Sequence, residues 1–367
     1  ANALPELITT DAELARLLEL VADADMLAVD TEFVRTNTYA PRLGLLQIHV
    51  GTTITCVDPL AEIDVDPLWQ LLLSADRILI LHSAKQDMEV IWFVKGALIG
   101  QLLDTQVCAG LLGYPAQIGY AGLASELIDV SISKDQTRTD WSRRPLTDAQ
   151  LKYAAEDVQH LPEMREIMQA RLEAEGRFAW AVEDSNALLD IDLYRPHPES
   201  AWQRIKSVPY LPIDQQARAC ALADWRERRA IQADKPRQWV LADKALLQIA
   251  QQNPANQNAL DRLEEVPAAV ARKQGRKLLA VLDNANHAFA NGELDLQQRV
   301  SERDQDKTVL KKLTAMVRTK ADELDIAAEV LASKRDIQAL LRGEESARVM
   351  TGWRRETIGT ELAAELG

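Results

Sequence analysis

Residues 26–33 read Met26-Leu-Ala-Val-Asp30-Thr31-Glu32-Phe33, and this stretch decides the fold class. An apolar run with strand-favouring residues leads directly into two carboxylates separated by one threonine, as expected of a strand that leaves a core and ends at a site. Side chains alternate across a strand, so Asp30 and Glu32 share one face and Thr31 takes the other. Carboxylates packed that closely repel, and a hard cation between them relieves the repulsion; oxygen-only ligands favour Mg²⁺ or Mn²⁺ over zinc. Taken alone, Asp-x-Glu is so common that a solvent-facing strand end is the favoured reading, so the rest of the chain must arbitrate.

Outward from that strand the first half alternates helical and extended patterns. A helix is expected over 11–21, and a hairpin is expected from 45–50 and 53–57 around Gly51-Thr52. Residues 68–73 are helical in pattern. A short apolar run at 77–82 suits a buried strand, and it passes into a helix over 83–94 with Asp87 near its first turn, where an Asp can also simply complement the helix dipole. Helices at 104–112 and 120–127 and a polar loop at 131–144 follow. Thr147-Asp-Ala-Gln150 forms a capping box opening a further helix, on which Tyr153 and Asp157 lie four apart and so on one face. Pro162 should kink or break that helix. Four prolines between 194 and 212 (Pro196, Pro198, Pro209, Pro212) mark a linker, and beyond it the chain is almost wholly helical, over 213–290 and 306–365.

Composition sets bounds on the function. At 367 residues, two or three domains are expected. Cys56, Cys108 and Cys220 are odd in number and lack C-x-x-C spacing, which argues against a disulfide framework or a zinc site and fits a reducing compartment. No apolar run approaches the roughly 18 residues of a membrane span and no export signal opens the chain, so the expected location is cytoplasmic, with no membrane partner. The net charge of −14 is unevenly spread: residues 1–203 hold 15 Lys+Arg against 32 Asp+Glu, and residues 204–367 hold 27 against 24. An acidic front half repels phosphates unless cations are bound there.

The order and surroundings of the acidic residues carry a resemblance. Asp-x-Glu-Phe on a strand, His82-Ser-Ala-Lys-Gln-Asp87 after a second strand, and Tyr153-x-x-x-Asp157 on a helix are similar to the tyrosine-bearing subgroup of the DEDD exonuclease superfamily. The flanks Asp30-Thr-Glu-Phe-Val-Arg-Thr, Arg42-Leu-Gly-Leu-Leu-Gln-Ile, Leu103-Asp-Thr-Gln, Arg138-Thr-Asp-Trp-Ser-Arg-Arg-Pro and Tyr153-Ala-Ala-Glu-Asp-Val resemble the ribonuclease D family, densely from 26 to about 170. Leu222-Ala-Asp-Trp-Arg-Glu, Pro236-Arg and Gly275-Arg-Lys-Leu-Leu resemble the helicase-and-RNase-D C-terminal (HRDC) domain, with a weaker copy over 306–367.

The resemblance implies an α/β, ribonuclease H-like mixed sheet flanked by helices and followed by two all-helical HRDC-type domains. The implied boundaries are 1–203 for the catalytic domain with its linker, 204–292 for the first helical domain and 293–367 for the second. It implies a 3′→5′ exoribonuclease with two divalent ions, Mg²⁺ or Mn²⁺, held by Asp30, Glu32, Asp87 and Asp157, Asp30 bridging them and Tyr153 orienting the attacking water. RNA with a free single-stranded 3′ end, transfer-RNA precursors among such RNAs, is the implied partner. Phe33, stacking on the terminal bases or lying in the core, and His82, Gln86, Gln136 and Arg138 are the implied substrate contacts, though Arg138 can equally pair with an acidic neighbour. A DNA exonuclease, or a module whose nuclease site is dead, are the alternatives. Parts of the helical half, at Arg226, Arg228 and Arg229, at Arg272, Lys273, Arg276 and Lys277, and at Lys311 and Lys312, are basic enough to track an RNA backbone or to be ordinary solvated helix faces.

Overall fold

The structure, a computed structural model, describes residues 4–133, 136, 139–296, 304–344 and 346–366. Arg138 lies outside the described residues. The chain forms two compact units: one comprises residues up to 34, 41–194 and 304 onward, the other 35–40 and 195–303.

The first unit is built on six strands, β1 (Glu6–Ile8), β2 (Met26–Val34), β3 (Arg42–Val50), β4 (Thr53–Val57), β5 (Ile78–Leu81) and β6 (Gln101–Asp104), in the order β1-β4-β3-β2-β5-β6. β2–β3–β4 run antiparallel and the remaining pairings are parallel, giving the mixed sheet that the sequence implies. The expected hairpin joins β3 to β4 at Gly51-Thr52, with Gly51 in the left-handed region at φ +59°. Helices α1 (Asp11–Ala22), α2 (Asp66–Leu72), α3 (Lys85–Lys95), α4 (Thr105–Leu111), α5 (Tyr120–Ile128), α6 (Asp148–Gln159), α7 (Leu161–Ala174) and α8 (Phe178–Asn186) surround it.

Strand alternation sorts the two faces. Leu27, Val29, Leu46, Ile48, Leu79 and Leu81 form one core with Leu14 and Leu17 of α1, Leu68 and Trp69 of α2, and Met88 and Ile91 of α3. Ala28 and Ile80 join the other core, with Val158 of α6, Met164 and Met168 of α7, and α4. The Thr147–Gln150 capping box starts α6 as the sequence implies, and Pro162 sits in the first turn of α7, so the helix breaks at His160.

The second unit packs α9 (Ile213–Ala233), α10 (Arg237–Val240), α11 (Asp243–Gln252), α12 (Gln257–Leu260) and α13 (Ala268–Ala290) around Leu222, Leu246, Ile249, Leu278 and Leu282. Residues 35–40 belong to it: the Asp234 carboxylate accepts from the Tyr39 and Ala40 amides at 3.0 and 3.1 Å. The Tyr39 hydroxyl donates to Glu227 at 2.5 Å, and Arg237 binds that same carboxylate through two nitrogens. The basic group expected at 226–229 is broken up, because Arg226 is buried, pairs with Asp243 and donates to the Leu241 carbonyl. Arg228 is held by Asp224 through two bonds.

The expected third domain at 293–367 does not close on its own core. Helices α14 (Asp304–Glu323), α15 (Ala328–Leu331) and α16 (Lys334–Leu341) place Leu313, Val317, Leu331 and Ile337 in one cluster with Ala109 and Leu111 of α4, Leu172 of α7 and Ala181 of α8. Trp353 stacks on Trp180 with ring centres 4.3 Å apart and its indole donates to Asp184; Arg354 clasps the same carboxylate. Arg177 bonds the carbonyls of both Leu111 and Leu324. The catalytic body therefore takes its last layer from residues some 110 positions further on.

Candidate active site

The sheet itself opens the site. β2 pairs with β5 only as far as Ala28↔Ile80 and then runs on alone on that side to Val34. The backbone of Thr31 is thus free of a strand partner there, and the first turn of α3 occupies the gap. Asp87 accepts from the Thr31 amide at 3.2 Å and from its hydroxyl at 2.5 Å through one oxygen. Although α3 packs on the face opposite α6, this open edge lets the Asp87 carboxylate stand beside Asp30.

Asp30 and Glu32 share the face covered by α6, as alternation requires. They meet Asp157 there: one carboxylate oxygen from each of the three lies within 4.8 Å of the others. Asp87 stands outside that tight group, yet its charge acts on all three. Burial, followed by repulsion from Asp87, Asp157 and Glu32, pushes the Asp30 carboxyl well above its ordinary value. Burial and repulsion from Asp157 and Asp87 push Glu32 up to about 9. Burial takes Asp87 to about 7, against the pull of its Thr31 hydrogen bonds. Burial also takes Asp157 to about 7, partly opposed by the hydrogen bond donated from Tyr153. Desolvated carboxylates this close are poorly stable as anions unless a cation is shared among them, and an all-oxygen donor set suits a hard divalent ion. The residues present therefore fit such an ion.

Tyr153 packs among Leu45, Cys56, Leu151 and Ala154, with its ring centre 6.2 Å from that of Trp141. Trp141 reaches the sheet because β3 carries an extra residue at Gly44, where the pairing skips from Glu32↔Leu45 to Phe33↔Leu43; a Cβ there would lie 2.7 Å from the Trp141 carbonyl oxygen. Phe33 is half-buried against the α1–α3 core. Gln86 is exposed beside Asp87, and Gln136 is half-buried in a turn whose carbonyl accepts from Thr139.

His82 is not free to bind a substrate, contrary to expectation. Its Nε2 donates to the Ile118 carbonyl at 2.9 Å and its Nδ1 meets the Thr105 hydroxyl at 2.9 Å. Burial holds its pKa below the ordinary value, in keeping with a neutral ring. Both nitrogens are spent on tying the end of β5 to α4 and the loop before α5.

Supporting residues escaped the sequence reading. Buried Asp104 accepts from the Ser83 and Ala84 amides at 2.9 and 2.8 Å and caps α4 through Gln106 at 2.8 Å. It holds the elbow at which Ser83 takes φ +58° and the chain turns into α3, ahead of Asp87. Tyr120 donates to the Glu156 carbonyl at 2.7 Å and accepts from the His160 amide at 3.2 Å, pinning the last turn of α6 beside Asp157. The signal for Asp104 was present as an Asp-Thr pair closing an apolar run, the pattern of a helix N-cap.

Known proteins are similar to this chain over most of its length. A family model described as 3′-5′ exonuclease matches residues 5–173, and one described as HRDC domain matches 215–282. The chain is 36% identical to ribonuclease D of Gluconacetobacter diazotrophicus over 98% of its own length and 92% of that protein's. It is 33% identical to ribonuclease D of Pseudomonas paraeruginosa, over 97% and 96%. The crystal structure of Escherichia coli RNase D, described as an exoribonuclease involved in structured RNA processing, superposes with a TM-score of 0.90 at 32% identity and 99% coverage of each chain.

Proposed function

We propose that this chain, which belongs to the ribonuclease D family of 3′→5′ exoribonucleases, performs that hydrolysis with Asp30, Glu32, Asp87 and Asp157 as ligands to a pair of divalent cations, Mg²⁺ or Mn²⁺. The observation that carries the assignment of residues is the meeting of Asp30, Glu32 and Asp157 within 4.8 Å, with Asp87 held beside them by Thr31. These four carboxylates would hold the cations, which would supply a lowered pKa for a water and charge neutralisation at the scissile phosphate. Asp30, which feels the charge of all three other carboxylates, would be the central ligand. Thr31 fixes the direction of Asp87. Tyr153, whose hydroxyl is already bonded to Asp157, orients the attacking water by hydrogen bond. A phenol with an ordinary pKa of about 10 is a poor proton acceptor at neutral pH.

The products are 5′-mononucleotides, and the substrate is RNA with an accessible single-stranded 3′ end, transfer-RNA precursors included. RNA is preferred to DNA because the relatives covering nearly the whole chain are ribonucleases. Phe33, Gln86, Gln136 and Arg138 are the proposed contacts to the last nucleotides. Asp157→Ala should reduce Mg²⁺-dependent release of mononucleotides from single-stranded RNA to background with the circular dichroism spectrum unchanged. Hydrolysis near the unaltered rate would end this assignment. Parallel assays on single-stranded RNA, structured RNA with a 3′ tail and DNA test the substrate class.

A further inference from the structure

Gln47 is fully buried, at 0% exposure, and neither its amide nitrogen nor its amide oxygen has a hydrogen-bond partner among the described residues. A buried amide without partners forfeits its hydration with nothing in return, so such a residue in the centre of a sheet calls for an explanation. Its position supplies one. Gln47 lies directly across from Asp30 in the antiparallel β2–β3 pair and from Cys56 on β4. Residues opposite each other share a face with their Cβ atoms about 4.5–5.5 Å apart, so the amide rises from the sheet next to the Asp30 carboxylate, on the side that α6 covers.

The neighbours on that face cannot take its place. Leu45 is apolar, and His49 gives its Nδ1 to the Val158 carbonyl at 3.1 Å. Cys56 is a buried thiol, a weak donor. Trp141, packed over Leu45 and Cys56, has its own indole N–H unpartnered among the described residues. Gln47 is thus the strong donor on β3 directly across from Asp30.

We infer that Gln47 is a positioning residue for the metal centre: once a cation draws one Asp30 oxygen to itself, the Gln47 amide N–H, unpartnered without it, would donate to the other oxygen and so fix the direction of the carboxylate. This inference rests on the proposed metal site. Partners of this kind, behind a ligand, typically alter metal affinity by about 10–100-fold.

The test uses the full chain carrying Gln47→Met, which keeps length and removes polarity. Three quantities are read: the thermal midpoint of metal-free protein, Mn²⁺ affinity by calorimetry without RNA, and kcat and KM on a short RNA. The expected result is an unchanged or higher midpoint, Mn²⁺ affinity about tenfold or more weaker, and a lowered kcat with KM little changed. Mn²⁺ affinity equal to that of the unaltered chain would overturn the inference. If Gln47→Met does not fold, the side-chain amide signal of Gln47 is followed by NMR in the unaltered chain as Mg²⁺ is added; it should move with site occupancy, and an unmoved signal at saturation overturns the inference. Asp30→Asn is run alongside. If Asp30→Asn binds Mn²⁺ normally, the metal site itself is wrong; if only Gln47→Met does, the site stands and Gln47 has no part in it.

Discussion

At the scale of single residues, the four carboxyls have a measurable signature before any substrate is added. Glu32 rises from 4.5 to about 9 and Asp87 and Asp157 from 3.8 to about 7, so the folded metal-free chain holds protons that the unfolded chain has released. Stability falls with pH wherever the folded state is the more protonated, so the metal-free chain should lose stability as pH climbs from about 4 through 9. Saturating Mg²⁺ should flatten that slope, which thermal midpoints in chelator and in Mg²⁺ from pH 5 to 9 would measure. Tyr153→Phe removes the hydrogen bond that pulls Asp157 down; the acidic limb of the pH–rate profile should move to higher pH, with slower but persistent turnover. A profile and rate identical to the unaltered enzyme would remove Tyr153 from the mechanism. The acidic residues and the tyrosine were legible because their chemistry is written in residue type and local spacing. His82 and Gln47 were not, since what they do depends on Thr105, Ile118 and Asp30, which only the fold brings near.

At the scale of elements, capping chemistry was legible and short strands were not. Thr147, Gln150 and Pro162 mark their helix ends by side-chain type alone, whereas β1 and β6 hold three and four residues, too few to express an alternating period. The missing β6 concealed Asp104, which joins the end of one strand, the elbow after another and the start of α4. Asp104→Asn exchanges an acceptor-only group for an amide with one acceptor oxygen. It should lower stability by about 2–3 kcal/mol in chemical denaturation, in the range of hydrogen bonds to charged groups. It should also depress kcat, because Asp87 starts from that elbow. Wild-type stability and rate together would show that the elbow holds without it.

At the scale of the molecule, the two-unit division runs against the order of the chain. The helical pattern of 306–365 was correctly legible, but periodicity reports that a face is apolar and not which core receives it. Here the receiving core is that of the nuclease, so Trp353→Ala, which unstacks Trp180 and removes a bond to Asp184, should destabilise the catalytic unit by about 3–5 kcal/mol. Loss of that size in the cooperative unfolding of the nuclease would separate this packing from that of an independent domain. In the second unit, Arg276 and Lys277 are exposed on α13. If they touch phosphates, changing both to Gln should lessen the slope of log affinity for RNA against log salt by about 0.7 for each phosphate that is no longer neutralised; an unchanged slope makes them an ordinary solvated helix face.

That late layer also has a consequence in time. A ribosome that has finished Tyr194 must add about 110 residues before α14 begins to appear, on the order of ten seconds at bacterial-like speeds of synthesis. Throughout that interval the oily flank of α4, α7 and α8 lacks its covering layer on the nascent chain, so this stretch of synthesis is when the nuclease core should be most exposed to chaperones and proteases.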